Sequence, residues 1–205
     1  MKGMVIKSTG SWYDLLGVDG TKYKGRLLGK FKIQGLKVTN PIAVGDEVEF
    51  EHGKDESVII NTILPRRNYL IRKSVHKTSD GHLIASNLDQ TLLVVTLAFP
   101  RTSLGFIDRF LVSSEAFRIP ALLIFNKTDL YNDELRTIQA ELEETYLKLN
   151  YRSIKTSVIT GEGMEELNDV MKGKKSLFSG HSGVGKSSLL NKIAPQYNIK
   201  TSEVS

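Results

Sequence analysis

The chain of 205 residues holds 28 Lys and Arg against 23 Asp and Glu, a net charge of +5, with apolar and charged fractions ordinary for a globular protein. It contains no cysteine, which excludes a disulfide framework and any thiolate metal site within these residues and fits a reducing compartment. The opening Met1-Lys2-Gly3-Met4-Val5-Ile6-Lys7 lacks a signal-peptide core, and no apolar run nears the ~20 residues of a membrane span, so a cytoplasmic chain without a membrane partner is expected.

The first 65 or so residues read as short strands between turns: Met4 to Thr9, Trp12 to Leu16, Thr21 to Leu27, Glu47 to Glu51 and Ser57 to Leu64. Val48 and Phe50 alternate with Glu47, Glu49 and Glu51, the pattern of a half-buried strand. Val18-Asp19-Gly20-Thr21 and His52-Gly53-Lys54-Asp55 are turn-like. This density of strands predicts an all-β barrel over residues 1–66, OB-fold-like or SH3-like. Residues 1–73 carry 13 Lys and Arg against 8 Asp and Glu, while residues 74–205 carry 15 of each. The excess charge therefore sits in the first third. That suits an anionic polymer such as nucleic acid, or is a solvated basic face. Trp12, Tyr13, Tyr23 and Phe31 form a candidate base-stacking platform, with core packing as the alternative.

Residues 67–86 are polar and basic, with Arg72, Lys73, His76 and Lys77 and a turn at Ser79-Asp80-Gly81. They read as a linker or mobile arm. From 87 to 205 strands and helices alternate, which predicts a parallel α/β sheet. Thr91 to Phe99 and Ala121 to Phe125 are continuous apolar runs of the kind buried on both sheet faces. Ile107, Phe110, Leu111 and Ser114 fall at helical spacing. Leu135, Ile138, Leu142 and Leu149 mark an amphipathic helix capped by Asn132 or Asp133. A strand over Tyr151 to Thr156, a helix over Met164 to Met171, a strand over Ser176 to Ser179 and a helix over Lys186 to Ile193 follow.

Gly180-His181-Ser182-Gly183-Val184-Gly185-Lys186-Ser187 matches the P-loop pattern G-x-x-x-x-G-K-S/T between a strand and a helix. Its glycines allow backbone N–H groups to face phosphate oxygens, and the next helix adds its positive end. Lys186 would reach the β- and γ-phosphates, and the Ser187 hydroxyl would ligate Mg²⁺. Asn126-Lys127-Thr128-Asp129 ends a buried strand, where open α/β sheets bind ligands. Asp129 would accept hydrogen bonds from guanine N1–H and its 2-amino group, which adenine cannot supply. The Lys127 stem would lie over the base, and the Asn126 amide would tie this loop to the P-loop. Lys155-Thr156-Ser157-Val158, before Thr160-Gly161-Glu162-Gly163, resembles the third base-contacting loop of GTPases, where backbone N–H groups approach guanine O6, with Ser157 and Val158 as the base-binding residues. His181, at a variable P-loop position, reads as a loop residue without a chemical role.

Together these motifs resemble a translation-factor-type GTPase, but in permuted order: Asn126 to Asp129 precede Gly180 to Ser187. With an OB-like barrel in front, the chain is similar to the ribosome small-subunit-dependent GTPase A family (RsgA). Asn87-Leu88-Asp89-Gln90 and Ser182 to Leu189 with Asn191 extend the match, and place Ser188 with the phosphate site. The resemblance implies an N-terminal OB-fold barrel plus an α/β P-loop GTPase domain, circularly permuted and incomplete. It implies GTP and GDP with Mg²⁺ as ligands and hydrolysis of GTP to GDP and phosphate. It implies late maturation of the small (30S) ribosomal subunit, whose rRNA is the partner and which stimulates turnover; a monomer is expected. In the family pattern Lys200 to Ser205 come just before the first switch loop. No D-x-x-G follows Lys186, so a fragment is expected, with catalytic residues and zinc both in a further C-terminal region. The alternatives are a nucleotide-regulated rRNA-binding module without turnover and a P-loop kinase or ATPase.

Overall fold

The computed structural model describes residues 1–27, 40–53, 56–73 and 81–200. Phe31, His76, Lys77, the Lys54-Asp55 and Ser79-Asp80 turn positions and residues 201–205 lie outside them. The chain divides into two compact units, Met1–Leu88 and Asp89–Ser205.

In the first unit β1 (Lys2–Thr9), β2 (Trp12–Gly17), β3 (Lys22–Leu27), β4 (Glu47–His52) and β5 (Val58–Ile63) form a closed barrel in the order β1-β2-β3-β5-β4. Among the described residues only the β3–β5 pairing of this barrel is parallel. This is the OB-like alternative, and closure removes every open edge. Alternation places Tyr13 and Leu15 of β2 and Val48 and Phe50 of β4 inside, with Val5, Ile42, Val58 and Ile60. Each such apolar side chain contributes about 1.5–3 kcal/mol on burial.

Where the sequence predicts a linker or mobile arm over 67–86, the structure has a two-stranded antiparallel sheet, β6 (Tyr69–Lys73) with β7 (Gly81–Ser86). The local lysines, arginines and histidines hide a short apolar pattern: Leu70, Leu83 and Ala85 are buried. The hairpin is fastened by a buried polar network. Asp46 is fully buried and forms an ion pair with Arg66 at 2.6 Å. It also accepts from Ala43 N at 2.9 Å and from the Ser86 hydroxyl at 2.5 Å. Arg66 donates further to Pro41 O at 2.6 Å. Asn87 Nδ2 donates to Gly45 O at 3.0 Å, and Asn68 brackets Leu88 through Oδ1 and Nδ2. Every donor and acceptor on Asp46 and Arg66 that burial removes from water thus gains a partner.

The second unit is a parallel sheet in the order β10-β9-β8-β11, from β8 (Gln90–Val95), β9 (Ala121–Asn126), β10 (Ser153–Thr156) and β11 (Ser176–Ser179). Helices α1 (Leu104–Ala116), α2 (Asp133–Lys148), α3 (Met164–Met171) and α4 (Lys186–Ile193) connect the strands or follow them. One core lies on each face of the sheet. Leu93, Val95, Leu123 and Phe125 pack with α1 and α2, and Leu92, Val94, Ile124 and Ile154 pack with α3 and α4. Two expectations shift. β8 ends at Val95 instead of Phe99, because Thr102 Oγ1 takes the Thr96 N–H at 3.2 Å and the Tyr131 hydroxyl takes the Leu97 N–H at 2.9 Å. Leu149 caps α2 and is exposed; Tyr146 supplies the buried contact, its hydroxyl donating to Asp108 at 2.9 Å. Asn132, not Asp133, caps α2, accepting from Leu135 N at 2.9 Å.

Replacing Asp46 with Ala leaves the Arg66 guanidinium buried without its partner. We expect a loss of about 3–5 kcal/mol in the first unit. Denaturant unfolding followed by the fluorescence of Trp12, the chain's single tryptophan, measures it.

Candidate functional site

The carboxyl ends of β9, β10 and β11 lie along one edge of the parallel sheet, where ligands of open α/β folds bind. Each ends in a loop that carries a motif. Gly180 to Gly185 link β11 to α4, and Gly180, Gly183 and Gly185 have φ of 141°, 80° and 97°. Two of these glycines are also required by space. A Cβ on Gly180 would lie 2.3 Å from Val94 O, and one on Gly185 would lie 2.3 Å from Asn126 Nδ2. Lys186 Nζ donates to Gly180 O at 2.9 Å and His181 O at 2.6 Å. Burial lowers the pKa of this ammonium group below that of an ordinary lysine. A phosphate at the loop would compete with the two carbonyls for its protons and favour its charged form. Ser187 and Ser188 occupy the first turn of α4, half-buried. The tight glycine cradle, a lysine and the Ser187 hydroxyl suit a phosphate chain with Mg²⁺. Val184 is fully buried beneath the loop, while His181 and Ser182 are exposed. The His181 ring stacks on Phe106 of α1, with centroids 3.9 Å apart and planes at 33°.

Asn126 is buried and joins all three loops. Its Nδ2 donates to Val184 O at 2.8 Å, and its Oδ1 accepts from the Thr156 hydroxyl at 2.9 Å. The Tyr131 hydroxyl donates to Asn126 O at 3.0 Å. Burial raises the pKa of this phenol, so the donated proton stays in place at ordinary pH. Lys127 adopts a left-handed conformation, φ 62° and ψ 38°, and its Nζ reaches Phe99 O at 3.1 Å. Thr128 is buried and Asp129 is exposed, its Oδ1 accepting from the Ser157 hydroxyl at 2.5 Å.

The Ser157 N–H is not free to face guanine O6, because it donates to Glu162 O at 3.1 Å. That bond closes the loop over 157–162. Ser157 serves through its side chain instead: its Oγ accepts from Ile159 N and Thr160 N, both at 3.2 Å, while it donates to Asp129. Among the described residues no hydrogen bond takes the Val158 N–H. The sequence did not reveal the contributions of Tyr131 and Phe106, which no motif marks, nor the side-chain bonds of Thr156 and Glu162, which lie within the third motif.

In the first unit the aromatic candidates separate. Tyr13 is core, its hydroxyl donating to Asn40 Oδ1 at 2.7 Å, and Tyr23 packs on Phe50 with centroids 5.1 Å apart. Trp12 stays at the surface, with Lys24 Nζ 5.3 Å and the Arg26 guanidinium 5.9 Å from its ring centre. It borders a cleft of about 1090 Å³ that Arg26, Val44, His82 and Ile84 also line.

Residues 63–205 match the family described as RsgA GTPase, and residues 2–60 match the RsgA N-terminal domain. The chain belongs to the RsgA GTPase family. A relative from Cytophaga hutchinsonii named small ribosomal subunit biogenesis GTPase RsgA is 55% identical over 195 residues, which span 94% of this chain and 63% of the relative. A Bacteroides fragilis protein of the same name is 45% identical and is matched by 100% of this chain and 66% of its own length. The crystal structure of YjeQ from Thermotoga maritima superposes with a TM-score of 0.77 at 39% identity, over 95% of this chain and 65% of that one. YloQ, described as a circularly permuted GTPase, gives a TM-score of 0.68 at 31% identity, over 95% of this chain and 64% of that one. The chain thus spans 63% to 66% of the length of these proteins. No helix among the described residues is long and apolar enough to cross a membrane.

The glycine requirement separates into two parts by substitution. Gly161 has φ of +83° with open space around it, whereas Gly185 has φ of +97° and Asn126 against it. Gly161→Ala should cost about 1–2 kcal/mol of stability, the backbone penalty alone. Gly185→Ala should cost at least about 2 kcal/mol more, because the added methyl displaces the Asn126 amide from a buried bond. Paired denaturant titrations give the difference.

Proposed function

We propose that this chain binds GTP and GDP with Mg²⁺ between Gly180–Ser188 and the loops Asn126–Asp129 and Ser157–Val158. In this reading the protein hydrolyses GTP to GDP and phosphate while assisting late maturation of the small (30S) ribosomal subunit, which stimulates turnover. It acts as a monomer in the cytoplasm. The observation that carries the nucleotide reading is the Asn126 Nδ2 bond to Val184 O, 2.8 Å long, which joins the two motifs in one site. Names of the relatives supply the link to the small subunit.

Each part has a role. The P-loop N–H groups and Lys186 hold the β- and γ-phosphates, and Ser187 is the residue that would hold Mg²⁺. The ion neutralises charge on the phosphates when bound. Lys127 lies along one face of the base. Asp129, oriented by Ser157, accepts from N1–H and the 2-amino group, and the Val158 N–H would meet O6. Base recognition by a charged acceptor is worth about 1.5–3 kcal/mol per hydrogen bond. The basic first unit meets rRNA, with Trp12, Lys24 and Arg26 offering a stacking surface beside cations.

Calorimetric titration with GDP and ADP tests the base assignment; equal affinities would sink it. Asp129→Asn should weaken GDP by at least about a hundredfold and shift preference to xanthosine diphosphate, whose C2 oxygen accepts from the new amide. Turnover of GTP, measured with and without small subunits, tests the enzymatic reading, and unchanged rates would contradict stimulation. Binding to the subunit should fall linearly on a log–log plot against salt.

A further inference from the structure

We propose that Glu162 is a positioning residue for guanine recognition, acting through Thr128 on Lys127 and Asp129. The inference rests on the guanine-nucleotide reading above. Lys127 holds φ of 62° and ψ of 38°, a left-handed conformation that a long side chain does not adopt by preference. Such a residue costs about 1–2 kcal/mol and persists where its neighbours over-determine it. On the upstream side the neighbours are evident. Asn126 is fixed through both ends of its amide and through its carbonyl oxygen.

Downstream, the restraint is Thr128. This side chain is 1% exposed, and its hydroxyl lies 2.5 Å from Glu162 Oε2 and 3.2 Å from Thr156 O. One hydroxyl carries one proton, and the shorter contact to a carboxylate is the stronger. Thr128 stands between Lys127, which runs along the base, and Asp129, which reads its edge. Fixing its hydroxyl therefore fixes the peptide on either side. Glu162 is itself held at both backbone atoms: its O accepts from Ser157 N at 3.1 Å, and its N donates to the Thr160 hydroxyl at 3.3 Å. Ser157 in turn donates to Asp129. The result is a closed ring of bonds, Asp129–Ser157–Glu162–Thr128, around the base-reading carboxylate. None of these bonds reaches Gly180 to Ser188, so losing the Glu162 bond should blunt base discrimination and spare the phosphate contacts.

The competing role for Glu162 is a carboxylate beside the N-terminus of α3, which would favour that helix electrostatically. That role moves melting temperature only. The two separate in a comparison of GDP with inosine diphosphate, which lacks the 2-amino group that Asp129 accepts from. Glu162→Ala and Thr128→Val should each lower the GDP-to-IDP affinity ratio by at least about fivefold, with GDP affinity falling more than that of IDP. Glu162→Gln and Thr128→Ser, which keep an acceptor and a donor, should retain the ratio within about twofold. The double variant should be no worse than either single one, since both remove the same bond. An unchanged ratio in Glu162→Ala and Thr128→Val, or equal losses for GDP and IDP, would overturn the proposal while leaving guanine binding intact. A wild-type protein that does not prefer GDP to ADP would overturn the nucleotide reading and this inference with it.

Discussion

The Asn126 side chain is buried among three loops that come from separate parts of the sequence. Its Nδ2 holds the P-loop at Val184 O, and its Oδ1 holds the end of β10 through Thr156. Gly185 and Asn126 depend on one another, because the amide nitrogen sits 2.3 Å from the point where a side chain at 185 would begin. A larger residue at 185 pushes out the amide, and a shorter residue at 126 leaves a buried carbonyl without its donor. The cost of such an orphaned group, about 1–3 kcal/mol, is a large part of what a domain of this size can lose. The P-loop and the Asn126–Asp129 loop are thus held together, which the proposed recognition of a nucleotide at both ends would require.

The order of the motifs along the chain is secondary to this geometry. A parallel sheet brings the ends of β9, β10 and β11 to one edge whichever strand comes first. The permutation changes which loops are covalently continuous and leaves the site's construction alone. Lys186 illustrates the economy of the loop: the carbonyls of Gly180 and His181 satisfy an ammonium group that burial would otherwise destabilise.

Much of this was legible in the sequence where a local physical rule applies. The P-loop could be read because its glycines and lysine are tied to the chain's own geometry, and α3, β11 and α4 begin and end where motif and periodicity place them. The barrel strands could be read from alternation, as at Val48 and Phe50. What could not be read depends on contacts distant in sequence. The pairing of β6 with β7 was hidden because Leu70, Leu83 and Ala85 stand scattered among polar residues and the Ser86 hydroxyl is met by the distant Asp46. The early end of β8 depends on a hydroxyl of Tyr131, 34 positions away from Leu97. Ser157 lies beside the Asn126–Asp129 loop and meets Asp129 through its hydroxyl. Its N–H is taken by Glu162, a bond that only the closed loop shows.

A crystal structure of the protein with GDP and Mg²⁺ tests the central claim most directly. The account predicts that the Asn126 Nδ2 bond to Val184 O persists. It predicts that Lys186 Nζ turns from the carbonyls of Gly180 and His181 to the β-phosphate, and that both oxygens of Asp129 meet the guanine edge. A nucleotide bound away from this edge of the sheet, or one that leaves Asp129 without contact to the base, would contradict it.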